Sequence, residues 1–596
     1  MAEAAAAEQA GLEPCDLVMK GGITSGVVYP AAMLGLSRRY RFRNIGGASA
    51  GAIAAVVGAA CEYRRRGGAA QSFERLTEIN EELGREGFLE GLFQPVPGAR
   101  PAFDVLLAYL SGGGAIGRAT GALRATFKGA PGIRAGSAIA MLVWAAFVVF
   151  TAWALVADGF SWVDVVAVVL LAVVSIVVLV AGLALAVALA LGRMVAGLNR
   201  ALQDNGLGIC NGAPQPGFEG REALTDWLHK QIQLCAGLDP DGAPLTFAML
   251  EGEGADDGQA IFLRLVTTDL SYARPVDLPL PNDPQAVGAT TYLFDPDEMR
   301  RLFPPKVVDA MVDGASDPET LGPGHERRVL PMPGSELPVI VAARLSLSFP
   351  ILLSTVPLWS RTDQVEGGVV VRHAMSDGGI SSNFPIHFFD ALLPSRPTFG
   401  LDLQPYPDPK DEPELAAAPP IVFDDKPRMP SFTTVGTVFT FVRQILNAAL
   451  NWRDSMQAEM PGFRDRVCQI RLSKDEGGLN LNMPPEVIAA IERKGKLAAQ
   501  AILDGFDWNR HRFVRYLTFG QAVHKDLEAT KKPFAALSRE VPVLSEHWPY
   551  YKGHAPPWWD EARAATDELL ADVTDRPDFE ADAPQPPGEL RIRPNV

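Results

Sequence analysis

The stretch that most limits what this chain can fold into is Tyr40–Ala60, YRFRNIGGASAGAIAAVVGAA. Tyr40 to Ile45 alternates bulky and polar residues, and from Ala52 onward alanine, valine and isoleucine form a helix-favouring run. Between them stands Gly47-Ala48-Ser49-Ala50-Gly51, a Gly-x-Ser-x-Gly pattern. A strand that gives way to a helix through so sharp a turn needs small residues beside the serine. It lifts the hydroxyl to the sheet edge with helix N-terminal amides behind it. Ser49 is therefore the candidate nucleophile, and Gly47 and Gly51 are the residues that permit the turn. A glycine-rich strand-to-helix turn without chemistry has the same appearance, so the rest of the chain must decide.

Cys15 to Lys20, CDLVMK, reads as a short buried strand that runs into Gly21-Gly22-Ile23-Thr24-Ser25-Gly26 and then the apolar stretch Val27–Leu36. Two glycine-rich turns so close together predict a parallel sheet whose loops gather at one end. The Gly-Gly turn can present successive backbone amides to an anion, either a phosphate or the oxyanion of an acyl intermediate. It lacks the Gly-Lys-Ser/Thr ending of a phosphate loop and the glycine spacing of a dinucleotide site.

A third stretch, Gly367–Pro385, reads GGVVVRHAMSDGGISSNFP. A strand at Val369–Arg372 leads to Asp377-Gly378-Gly379, where two glycines let a neighbouring loop approach the carboxylate closely. A structural Asp-Gly turn would look alike. Asp269, after the strand Ala260–Thr268, reads as a turn or capping residue. Leu245–Leu250 reads as a further strand, Glu222–Leu234 as an amphipathic helix and Leu337–Phe349 as an apolar helix or strand. Phe88 to Val96 offers apolar residues that could line an acyl pocket.

At 596 residues, with 47% hydrophobic and 21% charged content, the chain has room for several domains and real cores. A net charge of −16 with no basic stretch argues against a nucleic-acid partner. Five scattered cysteines with no Cys-x-x-Cys spacing favour reduced thiols over a disulfide framework or a zinc site. No positively charged region precedes an apolar core at the N-terminus, so no cleavable signal is expected and the polar parts should face the cytoplasm. Ala135–Ala157 and Val165–Leu191 carry no charge and would measure about 34 and 40 Å as helices, enough to span a bilayer. Arg124, Lys128, Arg134, Arg193 and Arg200 flank them, while the short connection carries only Asp158 and Asp164. This pattern predicts a transmembrane helical hairpin with both ends cytoplasmic and Trp162 near the interface.

Together the three glycine-rich stretches resemble the patatin-like phospholipase family, whose pattern is an oxyanion loop after the first strand, then Gly-x-Ser-x-Gly, then Asp-Gly-Gly/Ala. The matching residues are Gly21 to Gly26, Gly47 to Gly51 and Asp377 to Gly379, with Ala342–Pro350 and Thr267–Pro275 similar to weaker family blocks. The resemblance runs from Asp16 to Gln404. It implies a patatin-like three-layer α/β sandwich with a mainly parallel central sheet, here interrupted by the hairpin. It implies a serine–aspartate dyad in which Ser49 attacks an ester carbonyl, Asp377 accepts the proton, and backbone amides of Gly21, Gly22 and Ile23 hold the oxyanion. Gly26, Gly47, Gly51, Gly378 and Gly379 support these loops. Ile23 stands where the family has a third glycine, and Ser25 where it has a basic residue.

The expected organisation is a catalytic domain in two parts, 1–134 and 192–404, split by the hairpin at 135–191. A proline-rich linker at 405–430 and a helical C-terminal extension at 431–596 follow. The expected function is hydrolysis of phospholipids or related acyl lipids at a bilayer, with no cofactor and no metal. Calcium would need several oxygen ligands in one loop, and no such spacing lies near the motifs. Two alternatives compete: a Ser-Asp-His esterase using His387 or a later histidine, and a catalytically silent, membrane-bound lipid-binding scaffold that keeps the fold.

Overall fold

The computed structural model describes residues 11–22, 24–110, scattered positions between 142 and 153, 162–252, 259–280, 290–315, 319–320, 328–362, 369–406, 419–424, 426, 435–473, 475–478, 480–537 and 556–571. Strand β1 (Glu13–Met19) leads through helix α1 (Tyr29–Leu36) to β2 (Tyr40–Gly47) and α2 (Ala50–Arg66). Then follow α3 (Arg75–Leu83), α4 (Trp162–Asp204), β3 (Gly208–Cys210), α5 (Leu224–Ala236), β4 (Phe262–Asp269), β5 (Arg274–Leu278), β6 (Tyr292–Phe294), β7 (Glu319–Thr320) and β8 (Arg328–Pro331). After α6 (Val339–Ser346) come β9 (Ile351–Leu353), β10 (Val356–Thr362), β11 (Val369–Ser376), β12 (Thr398–Pro405) and β13 (Ile421–Val422). Helix α7 (Val438–Ala458), β14 (Val467–Leu472) and α8 (Pro485–Gly505) complete the part that builds the site.

Twelve strands form one sheet in the order β13-β14-β12-β1-β2-β4-β11-β10-β6-β8-β7, with β5 paired to β4. Strands β14, β12, β1, β2 and β4 are parallel neighbours. Every other pairing in this sheet is antiparallel, and these are the majority. The sheet is thus mixed and mostly antiparallel, which corrects the expectation of a mainly parallel one. The reason is local. Parallel neighbours need crossovers, such as α1 between β1 and β2, and those crossovers are what the glycine-rich turns reveal. Beyond β4 the chain turns back on itself, and antiparallel neighbours need only short connections.

Leu17 and Met19 of β1 point into the main core, and Val18 between them points to a smaller one with Phe384, Ile386, Phe463 and Val467 on the opposite face. Helix α8 packs across α1 through glycines. A Cβ at Gly495 would lie 2.3 Å from the Val28 carbonyl, and one at Gly35 would lie 2.5 Å from Ala499 Cβ. The segment after residue 431 is therefore not a helical extension laid on a finished domain: β14 continues the sheet beside β12, and α8 covers α1. Most of the proline-rich linker at 405–430 lies outside the described residues. Leu245–Leu250, expected as a strand, is instead a short helix, Phe247–Glu251, started by the Thr246 side chain accepting the Met249 N–H.

The expected transmembrane hairpin is also corrected. Among the described residues no helix is long and apolar enough to cross a membrane, and the two-span membrane placement with a cytoplasmic catalytic domain falls with it. Most of the first arm and the connection at 158–161 lie outside the described residues. The second arm belongs to α4, a single 43-residue helix that runs past the uncharged stretch through Arg193 and Arg200. Its last turns pack Leu198, Ala201 and Leu202 against the main core. An uncharged run of sufficient length is a condition for a span, and it leaves open what the rest of the helix does.

Candidate active site

Ser49 sits between β2 and α2 with φ 55° and ψ −126°, a conformation that costs a non-glycine residue roughly 1–3 kcal/mol. The turn is held by Gly51 N–H donating to Ala48 O at 2.8 Å and Ala52 N–H donating to Ser49 O at 2.9 Å. Its glycines are needed for space, not for dihedral freedom. A Cβ at Gly51 would fall 2.2 Å from the Met19 carbonyl oxygen, and one at Gly47 would fall 2.5 Å from Gly51 backbone atoms. At Gly26 a Cβ would meet Ala50 Cβ at 2.9 Å. The first loop, the nucleophile turn and the end of β1 are packed backbone to backbone.

Asp377 enters the same place from β11, paired to β4. Thr267 Oγ1 donates to Ser376 O at 2.7 Å, and Thr268 Oγ1 donates to Asp377 O at 2.9 Å. Gly378 lies so close to β4 that a Cβ would come 2.0 Å from Val266 O. The Asp377 carboxyl is buried, its Oδ1 accepting the Gly379 N–H at 2.7 Å. Burial pushes this carboxyl up to about 7, against the hydrogen bonds of the Ser49 hydroxyl and the Gly379 amide, which pull it down. Oδ2 has no partner of full hydrogen-bonding geometry among the described residues.

The first loop meets this pair directly. A Cβ at Gly21 would lie 3.1 Å from Ser49 Cβ and 2.1 Å from Asn383 Oδ1. Gly21 N–H is not directed at Ser49, however: it donates to the Asn383 carbonyl at 2.7 Å. Ile23 lies outside the described residues. Among the described residues, Gly22 N–H and Ala50 N–H have no acceptor, and Ala50 is the first residue of α2, where amides face outward along the helix dipole. Ser25 is buried beneath the loop, its Oγ 2.4 Å from where a Gly22 Cβ would stand. The neighbouring Thr24 Oγ1 donates to Gly478 O at 3.1 Å.

The serine, the aspartate and the three glycine-rich loops thus meet at one end of the central strands. No protein-family model matches the chain. The RpoH suppressor of Rhizobium meliloti (strain 1021) is 32% identical to it, across 97% of this chain and 98% of that protein. The chain belongs to the RpoH suppressor family.

In this family member an apolar cavity of about 100 Å³ opens beside Ser49, bounded there by Thr24, Gly26 and Ala50. Leu89, Leu92 and Phe93, from the stretch expected to line an acyl pocket, form part of its wall. Three residues that hold the candidate site were not singled out from sequence. Ser346 Oγ accepts the Ser49 N–H at 3.0 Å. Asn383 holds Gly21, and its Nδ2 donates to Asn451 Oδ1 of α7 at 3.3 Å. Arg344, fully buried, donates to Ser348 Oγ at 2.7 Å and to Asn211 O and Ser354 O, and burial pulls its pKa down to about 10. The only signal for any of them was their place in the stretches Ala342–Pro350 and Gly367–Pro385.

His373 makes a Ser-His-Asp chain elsewhere: Nδ1 lies 2.8 Å from Asp269 Oδ2 and Nε2 2.7 Å from Ser360 Oγ. All three side chains are buried, and Tyr292 O–H donates to the same Asp269 oxygen at 2.9 Å. Asp269 also accepts the Ser271 and Tyr272 amides, as a turn aspartate does. Burial raises its pKa, but the His373 and Tyr292 hydrogen bonds outweigh this and hold it below the usual carboxylate range. His387 lies in a short turn with its ring against Phe388. Among the described residues the groups that set the Asp377 carboxyl's pKa are Ser49 and Gly379, and no histidine is one of them. Among the described residues no cluster of metal-ligating side chains occurs.

Proposed function

We propose that the chain is a serine acyl hydrolase that cleaves carboxylic esters of phospholipids or related acyl lipids, as its motif resemblance to patatin-like phospholipases implies. One observation carries the reading: the Ser49 hydroxyl acts on the buried Asp377 carboxyl, and Ala50, the next residue in the chain, lines an apolar cavity. Ser49 Oγ attacks the ester carbonyl while Asp377 takes its proton. The tetrahedral oxyanion is met by the amides of Gly22 and Ala50, which have no acceptor among the described residues. Collapse breaks the bond to the alcohol, which leaves with the proton from Asp377. Water then attacks the acyl-serine, gives a proton to Asp377, and the acid departs as Ser49 regains its hydrogen.

The name of the Rhizobium meliloti relative, RpoH suppressor, states no reaction, so the proposal rests on this chain's residues. A silent lipid-binding scaffold draws on one observation, the commitment of Gly21 N–H to Asn383. That removes one expected donor, Gly21, and leaves the amides of Gly22 and Ala50. The deciding experiment incubates the purified full chain with a phospholipid extract and measures released fatty acid by mass spectrometry. Release by the wild type and none by Ser49→Ala supports the hydrolase; equal background from both supports the scaffold.

A further inference from the structure

Helices α2 and α5 run side by side in the same direction. Arg64 Nη1 donates to Leu234 O at 3.5 Å, and a Cβ at Gly237 would lie 3.2 Å from Arg64 Cδ, so the two C-terminal ends are adjacent. Beside these contacts Cys61 and Cys235, both fully buried, are in side-chain contact. Toward the nucleophile, residues of both helices line the cavity. On α2 it is lined by Ala50, Ile53, Ala54 and Val57, successive positions of one face. On α5 the matching positions include Trp227 and Gln231. The parallel register sets Gln231 level with Val57 at the end away from Ser49.

That far end is stiff. Gln231 is fully buried, its Oε1 accepting from Arg75 Nη2 at 2.9 Å and its Nε2 donating to Glu82 Oε2 at 2.9 Å. The Trp227 indole N–H donates to the same Glu82 oxygen at 3.0 Å. A side chain held at both ends of its amide cannot swing aside without stranding buried polar groups. From Ala50 to Val57 α2 advances about 10 Å. An extended chain advances about 1.2 Å per bond, so the cavity has room for on the order of eight.

We infer that the cavity is an acyl-length ruler: the scissile carbonyl sits at Ser49, the chain lies along α2, and Val57 with Gln231 stops it at medium length. This rests on the hydrolase reading. It names the preferred acyl group, and Ala54 and Val57 as the positions that set it.

The test measures kcat/KM for the purified full chain on p-nitrophenyl acetate, butyrate, octanoate and palmitate, and expresses each as a ratio to the acetate. The wild type should favour octanoate over both butyrate and palmitate. Ala54→Leu, which fills the middle of the cavity, should lower the octanoate-to-acetate ratio by about tenfold or more. Val57→Ala, which only removes atoms at the far end, should raise the palmitate-to-octanoate ratio, and it carries the test by itself if Ala54→Leu does not fold. Ratios in Val57→Ala equal to those of the wild type would overturn the ruler and leave the hydrolase standing. No turnover of any ester by folded wild type would overturn the hydrolase reading instead.

Discussion

Ser346 Oγ accepts the backbone N–H of Ser49 at 3.0 Å, and two residues later the Ser348 carbonyl accepts the backbone N–H of Asp377 at 3.0 Å. The end of α6 therefore fixes both members of the proposed dyad. Arg344 keeps this segment in place by donating to Ser348 Oγ from one turn earlier. Ser346→Ala should leave the Ser49 N–H buried without a partner, at a cost of about 1–3 kcal/mol in denaturant unfolding. It should also lower turnover by about 10²-fold by letting the nucleophile shift. Loss of stability with wild-type turnover would show that Ser346 supports the fold alone.

The raised pKa of Asp377 sets the pH dependence. With the carboxyl near 7 in the folded chain, kcat/KM should rise with pH through about 7 and level off above it, because only the carboxylate can accept the Ser49 proton. A profile flat from pH 5 to 9 would mean that another group is the base.

The same shift has a consequence for stability, with its sign fixed by linkage. The folded pKa lies above the ordinary aspartate value of 3.8, so the folded state binds more protons between about pH 4 and 7. This group's contribution to stability is full below pH 4 and is lost as pH rises to about 7. Asp377→Asn should therefore be inactive yet more stable than the wild type at pH 8, by at most about 4 kcal/mol, with the advantage vanishing near pH 4. Thermal unfolding at both pH values checks it.

Much of the site could be read in the sequence because close backbone packing leaves glycines behind. Gly47, Gly51 and Gly378 each stand where a Cβ would strike a backbone atom, and such contacts allow no substitute. Ser346 and Asn383 left no comparable mark: each meets its partner loop from hundreds of residues away, and a serine at a helix end or an asparagine in a loop is common. The parallel centre of the sheet was legible through its strand-turn-helix crossovers, whereas the antiparallel strands β5 to β8 are only two to five residues long, too short to show a clear alternation. The hairpin reading failed because an uncharged run records only the absence of charge, and the last turns of α4 rest on the protein core.

Gly51→Ala should be damaging out of proportion to one methyl group. Its Cβ would lie 2.2 Å from the Met19 carbonyl, a main-chain atom of a central strand that cannot give way cheaply. A loss of about 3 kcal/mol or more is expected. Gly436→Ala, where a Cβ meets nothing within 4 Å, should leave stability nearly unchanged. Similar unfolding midpoints for the two variants would contradict the packing of the nucleophile turn on β1.

His373→Gln separates the buried Ser360-His373-Asp269 chain from the proposed chemistry. The network ties β10, β11 and β4 together, so the variant should lose about 1–3 kcal/mol of stability. Turnover per folded molecule should persist, since His373 does not contribute to the environment of the Asp377 carboxyl. Abolished turnover in a folded variant would move the catalytic base to this histidine.

The most direct measurement of the central claim is covalent: the full chain is treated with a fluorophosphonate, digested, and mapped by mass spectrometry. A single adduct on the peptide carrying Ser49, formed faster at pH 8 than at pH 5 and absent from Ser49→Ala, is the predicted result. An unmodified Ser49 in folded protein, or an adduct on Ser360 or any other serine in its place, would contradict the assignment.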